Sequence, residues 1–204
     1  MELINLYIEE GDESGVDGIA IVDSPAIDQP FFAFNKTKTL KRYQIQLGSQ
    51  KGSAFKPVIG DKQVLAGALM IPGLEIYRKD LQPDGSSKEY NVAFTPETIN
   101  QIVLKFSASN LNKSVNQMHD SSKPVNAVLF QHFIINRELG VMPPLGQDHL
   151  VDGTWFGFIK INDVNVWNEF IKTGIYTGYS VQGLFYEEPV LTDNEAKLIA
   201  AEII

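Results

Sequence analysis

Apolar and polar positions along this chain change over in short runs, a pattern that predicts strands more often than helices. Residues 3–8 (LINLYI) and 18–22 (GIAIV) read as two short strands, each bounded by turn-forming residues. Ser24-Pro25 closes the second, because the residue before a proline is pushed out of helical geometry. Residues 31–53 are mixed: FFAF (31–34) is apolar, KRYQIQL (41–47) alternates as an exposed strand does, and GSQKG (48–52) is a loop. VLAGALMI (64–71) is an unbroken apolar run of strand length, expected to be covered on both faces. KDLQPDGSSK (79–88) combines Pro, Asp-Gly and paired Ser into a turn, after which 90–94 (YNVAF) is expected to return as the partner strand of a hairpin.

Helical periodicity is clearest just after that. Thr95 suits an N-cap, Pro96 the first helical position, and Glu97 the positive end of the helix dipole. Ile99, Ile102, Val103 and Phe106 then fall at i, i+3, i+4 and i+7 on one stripe, and the segment 107–113 ends the helix. The second half is mostly strand, at 115–119, 128–135, 154–161 and, at greatest length, 176–186. A helix is expected over 163–172, with Val166, Trp167, Phe170 and Ile171 inward and Gly174 placed to end it. Thr192-x-x-Glu195 is a capping box that opens a C-terminal helix through Ile203. Nothing repeats at a fixed period and no linker divides the chain. The expected fold class is therefore α+β, one domain over 1–204, with a largely antiparallel sheet or barrel and peripheral helices.

Composition narrows the chemistry. The 204 residues suffice for a core without disulfides, and the 44% hydrophobic content fits a folded chain. Cys is absent, which removes thiolate zinc sites and cysteine nucleophiles together. The net charge of −8 argues against broad nucleic-acid binding, which needs clustered positive charge. No apolar run reaches the roughly 20 residues that span a bilayer, and the acidic N-terminus shows no export signal. No glycine-rich phosphate cradle occurs.

Hydroxyls, carboxylates and three histidines remain. His149 lies in a Gly/Pro-rich loop, where a solvated role is expected, and His132 lies within an apolar strand as a core or edge residue. His119 stands where a strand gives way to Asp-Ser-Ser-Lys-Pro, and such junctions fix a side chain while leaving one side open. Asp120, Asp148 or Asp152 could assist the histidines in a metal site, but no two histidines have the spacing that puts both on one ion, so no metal and no cofactor are expected. Ser180 lies between Gly178 and Gly183 in a strand, where glycine costs stability unless something approaches the backbone closely. In period 2, Ser180, Gln182 and Leu184 share one face and Tyr179, Val181 and Phe185 the other. A serine hydroxyl attacks only once a base takes its proton, and His119 on an adjacent strand would serve.

Four ordered segments, LAGALMIPGLEIYRKD (65–80), VNQMHD (115–120), GTWFGFIKINDVNVW (153–167) and IKTGIYTGYSVQGLF (171–185), resemble the phage prohead (capsid maturation) serine proteases, in their XkdF-like branch. The likeness covers about residues 64–188, leaving 1–63 as N-terminal strands with a variable region and 189–204 as the C-terminal helix. It implies a fold similar to herpesvirus assemblin, a small β-barrel surrounded by helices. It also implies a Ser/His endopeptidase in the host cytoplasm, inside the immature capsid, whose substrates are scaffold and major capsid protein segments and itself. The family's histidine falls on His119 and its serine on Ser180. The third member is open. A strand with the family's Val-x-x-Pro-Ala pattern is similar to IAIVDSPA (19–26), at the N-terminus here, and the expected position holds Gly18, which has no side chain to offer. Asp17, His132 or no third group remain, Asp120 being less favoured because its side chain would leave a strand on the opposite face. Arg78 is a candidate helper whose alternative is a surface ion pair. A self-cleavage boundary near 192–203 and homo-oligomerisation accompany this reading. The competing class is a non-catalytic capsid- or scaffold-associated module that keeps the fold.

Overall fold

The computed structural model describes residues 1–23, 41–46, 56–57, 62–82 and 84–190. The expected stop at Ser24-Pro25, the FFAF stretch, the GSQKG loop and the helix over 192–203 lie outside the described residues. In chain order the strands are β1 (Glu2–Tyr7), β2 (Gly15–Val22), β3 (Lys41–Gln46), β4 (Lys56–Pro57), β5 (Val64–Met70), β6 (Ile76–Leu81), β7 (Ser87–Ala93), β8 (Val115–Gln117), β9 (Asp120–Pro124), β10 (Ala127–Ile134), β11 (Trp155–Ile161) and β12 (Gly178–Pro189). Helix α1 (Pro96–Ala108) lies between β7 and β8, and α2 (Val164–Val166), continued by a wider π-type turn at Trp167–Ile171, between β11 and β12.

Two sheets result. The larger runs β6-β7-β1-β12-β2-β8-β9 with β3 also paired to β12, and the smaller runs β10-β11-β5-β4. Pairing is antiparallel except for β1 with β7 and β2 with β8. The fold is α+β and rich in sheet, but it departs from the expected barrel: among the described residues the larger sheet ends on β6 and β9, the smaller on β10 and β4, and neither closes.

The core lies between the sheets. β12 sends Tyr179, Val181 and Phe185 into it, all buried, and Phe185 meets Phe94 edge-on with ring centroids 5.1 Å apart. Helix α1 adds its stripe, Ile99, Ile102 and Phe106, with Phe106 set 5.1 Å from the Trp155 ring. Its start is capped as expected, Thr98 N–H donating to Thr95 Oγ1 at 3.1 Å. The apolar run of β5 is explained by burial on both faces. Leu65 and Leu69 join the main core, while Ala66 and Ala68 pack with Ile135, Leu150 and Phe156 in a second cluster. Asp163 caps α2 by accepting from Asn165 N–H and Val166 N–H, and Gly174 takes φ +75° just past the last turn.

Two elements differ from expectation. The hairpin partner of β7 is β6, paired from Ile76↔Val92 to Leu81↔Ser87, so the turn is confined to the residues between them. Asp120–Pro124, expected as a loop, is a strand that pairs with β8 at the edge of the larger sheet. An edge strand needs no apolar alternation, and a proline at its end leaves no ladder donor unsatisfied.

The close approach inferred at Gly183 is real. At the irregularity between β12 and β2, a Cβ on Gly183 would stand 2.0 Å from the Gly15 carbonyl oxygen. Because both atoms are fixed by backbone, Gly183→Ala is expected to lower stability by roughly 3 kcal/mol, measured as the shift in urea midpoint at unchanged m-value; a loss under about 0.5 kcal/mol would show that the strands slide apart easily.

Candidate active site

The site is built on three adjacent strands. β12 carries Ser180 and Gln182 on one face, as period 2 requires. β2 lies beside it, with Ala20 opposite Ser180 and Gly18 opposite Gln182. β8 lies on the far side of β2, with Asn116 opposite Ala20 and Gln117 opposite Ile21. β8 then reverses into β9 through Met118 and His119 alone, Gln117 pairing with Asp120. Both turn residues have positive φ, 54° and 59°, the geometry of a type I′ hairpin turn. Such turns favour Asn-Gly, and left-handed geometry strains other residues. A histidine in that turn trades backbone strain for the direction in which its ring points.

The ring points back across β2. His119 Nε2 lies 2.6 Å from Ser180 Oγ, and Nδ1 lies 2.9 Å from Gln182 Oε1. A carboxamide oxygen only accepts, so the Nδ1–H donates to Gln182, Nε2 presents its lone pair, and the serine hydroxyl donates to it. Ser180 is fully buried and His119 half-buried. Burial is the largest influence on His119 and holds its pKa below the ordinary 6.5, while the Gln182 hydrogen bond and the charge of Asp17 push the other way. The imidazole is therefore neutral near pH 7, the form that accepts a proton. A neutral base against a hydroxyl, held in one tautomer, can raise the nucleophilicity of that oxygen.

The remaining candidates lie elsewhere. Asp17 is the extra residue of a bulge, since Gln182 faces Gly18 and Gly183 faces Val16. Its carboxylate pairs with Arg42 at 2.6 Å, and the position at Nδ1 belongs to Gln182. His132 is on β10, where its Nδ1 accepts from Trp155 Nε1–H at 3.2 Å and its ring meets Phe106 edge-on. Asp120 turns onto its own strand, accepting from Ser122 N–H at 2.9 Å and pairing with Lys123 at 3.3 Å. Arg78 lies over the Tyr43 ring, and Tyr43 packs against Phe185, which faces away from Ser180. His149 and Asp148 are exposed, and Asp152 pairs with Arg137. Among the described residues, no three His, Asp or Glu side chains converge where they could hold a metal ion. A groove of about 550 Å³ at the start of α1, lined by Pro96, Asn100, Ile134 and Leu139 among others, includes none of Ser180, His119 and Gln182.

Sequence reasoning assigns Gln182 no role. The available signal is its place two residues after Ser180 on the same strand face, within reach of any ring that reaches Ser180.

A hydroxyl bonded to a half-buried imidazole that a third side chain orients is the arrangement serine hydrolases use. Residues 61–187, well over half of the chain, match the family described as "Putative phage serine protease XkdF". The chain belongs to that family of phage serine proteases, and this kinship supports a peptidase. No curated protein and no solved structure matches it.

Strain in the turn is open to measurement. Met118 is 42% exposed, so replacing it changes little packing. Met118→Asn, the residue a type I′ turn favours at that position, is expected to raise stability by about 1 kcal/mol, seen as a higher thermal midpoint; a lower midpoint would show that the turn is not strained at Met118.

Proposed function

We propose that the chain is a serine endopeptidase of the immature phage capsid, acting through Ser180 and His119 on scaffold and capsid-protein segments and on itself. The observation that carries this reading is the 2.6 Å contact between His119 Nε2 and Ser180 Oγ, in a chain of the phage serine protease family. His119 takes the hydroxyl proton as Ser180 Oγ bonds to the scissile carbonyl carbon. The same nitrogen then returns the proton to the departing amine, leaving an acyl-enzyme. Water enters, His119 takes a proton from it, and hydrolysis of the ester restores the serine. A kinship with assemblin, the location within the shell and a self-cleavage near 192–203 belong to the same proposal.

One observation favours a competing reading, a shell or scaffold-associated module without activity: Ser180 has no exposed surface. For the enzyme, this means a substrate carbonyl reaches the hydroxyl only after the face over β2 and β12 opens. Such a resting state would suit a protease that must stay silent until it meets its substrates at high concentration.

Ser180→Ala and His119→Ala separate the two readings. Coexpressed with the scaffold and capsid proteins of the same phage, each variant is expected to fold normally and to lose at least about 10³-fold in cleavage rate, followed by gel and by mass spectrometry of the new termini. Undiminished cleavage by either variant would overturn the assignment.

A pH dependence follows from the same burial. Because His119 titrates below 6.5 in the folded chain, the acid limb of kcat/KM should be centred below pH 6.5. Stability moves with the same sign. The unfolded chain binds the proton first, so the contribution of the neutral imidazole is complete above pH 6.5 and is lost as pH falls from there toward the folded value. An acid limb of the rate profile centred above 6.5 would contradict the buried-imidazole account.

A further inference from the structure

We propose that Gln182 is the positioning residue of this site, a neutral carboxamide standing where a charged or imidazole group would otherwise hold the base, and that Gly18 is the residue that makes room for it. The proposal rests on the Ser180–His119 reading above. Three observations meet here. Gln182 Oε1 lies 2.9 Å from His119 Nδ1. Gln182 and Ser180 leave β12 on the same face, two residues apart, so one strand fixes the spacing between the group that orients the ring and the group that the ring serves. And Gly18 is the direct partner of Gln182 across the β2–β12 ladder, where a Cβ would come within 3.1 Å of Gln182 Nε2 and 3.3 Å of its Cγ. Any side chain at position 18 would press on the carboxamide that the imidazole bonds, forcing it to give by a few tenths of an ångström.

The chemistry of the carboxamide sets what it does. As an acceptor it fixes the proton on Nδ1 and leaves Nε2 free for the hydroxyl. Unlike a carboxylate it brings no opposite charge to the imidazolium that forms during attack, and supports that cation only through its dipole. The charged groups around the ring do not replace that charge by contact. On β2, Asp17 influences His119 through space while its carboxylate pairs with Arg42 of β3; on β9, Asp120 is held by Ser122 and Lys123. On β12 the facing groups, Ser180 and Gln182, are uncharged. The site thus has orientation without a contacting counter-charge.

The test uses the full chain and two readouts. In cleavage assays, Gln182→Ala is expected to lower kcat/KM roughly tenfold to a hundredfold. Gln182→Glu is expected to restore the rate to within about tenfold of the parent and to move the acid limb up by about one pH unit or more, as an opposite charge beside a base does. Nitrogen NMR of the His119 ring in the Ser180→Ala background needs no activity. There the ring should be the Nδ1–H tautomer with Gln182 present and a mixture of tautomers in Gln182→Ala, and Gln182→Glu should raise its titration midpoint. Gly18→Ala should reproduce the mixture by displacing the carboxamide. If the tautomer, the titration midpoint and the rate are all unmoved by Gln182→Ala and Gln182→Glu, the positioning role is wrong. If the NMR changes occur but Ser180→Ala still cleaves, the protease reading fails and the assignment of Gln182 as the partner of the ring stands.

Discussion

Ser180 and His119 come from strands that are not neighbours, and everything about the site follows from the need to bridge the strand between them. Adjacent strands lie about 4.8 Å apart, so β12 and β8 are separated by roughly 10 Å across β2. A hydrogen bond of 2.6 Å over that span requires the imidazole to reach across β2. It can do so because the residues of β2 on that face, Gly18 and Ala20, are the smallest available, while the alternate positions Ile19 and Ile21 fill the core below. The ring must also start from a backbone aimed back at the sheet, which the left-handed pair Met118 and His119 provides. A regular strand continuing through His119 would have sent its side chain up or down from the sheet, not along it.

Much of the fold is legible because burial writes itself into sequence with a fixed period. The stripe of α1, the alternation in β12 and the unbroken run of β5 each correspond to a face, or two faces, packed against something specific. The departures have the opposite cause. Asp120–Pro124 and Ile76–Leu81 are strands at the two ends of the larger sheet, held by backbone ladders and carrying mostly exposed side chains, so periodicity has little to report. Closure or openness of a sheet depends on which edges meet, and no local pattern of residues encodes that; the expected barrel is the part of the fold with no local warrant.

The candidate site shows the same division. Ser180 and His119 stand out in the sequence because hydroxyl and imidazole are recognisable chemistry in a chain with no cysteine and three histidines. Asp17 is eligible on sequence because it adjoins Gly18. The bulge in β2 breaks that inference: one extra residue shifts the register, and Asp17 becomes the unpaired member whose carboxylate goes to Arg42. Gln182 attracts no notice on sequence because an amide does not titrate. Its importance lies in geometry alone, in being two residues from Ser180 and opposite a glycine.

These placements have an energetic consequence for the base. Burial disfavours the charged imidazole, which keeps His119 neutral and ready to accept a proton, but in the proposed attack the same burial would make the imidazolium costly. A contacting carboxylate would relieve that cost and would also raise the resting pKa, protonating more of the base at mildly acid pH. A carboxamide fixes the tautomer and leaves the resting base free, at the expense of weaker support for the developing charge. The distant Asp17, raising the His119 pKa without touching the ring and itself tied to Arg42, sits between those extremes. The combination describes a base set for availability more than for strength, placed against a hydroxyl that the resting fold keeps out of solvent. Under the function proposed above, confinement with its substrates would offset a modest rate per encounter, whereas premature cleavage before assembly would have no such remedy. A weakly supported imidazolium and a covered nucleophile both act in that direction.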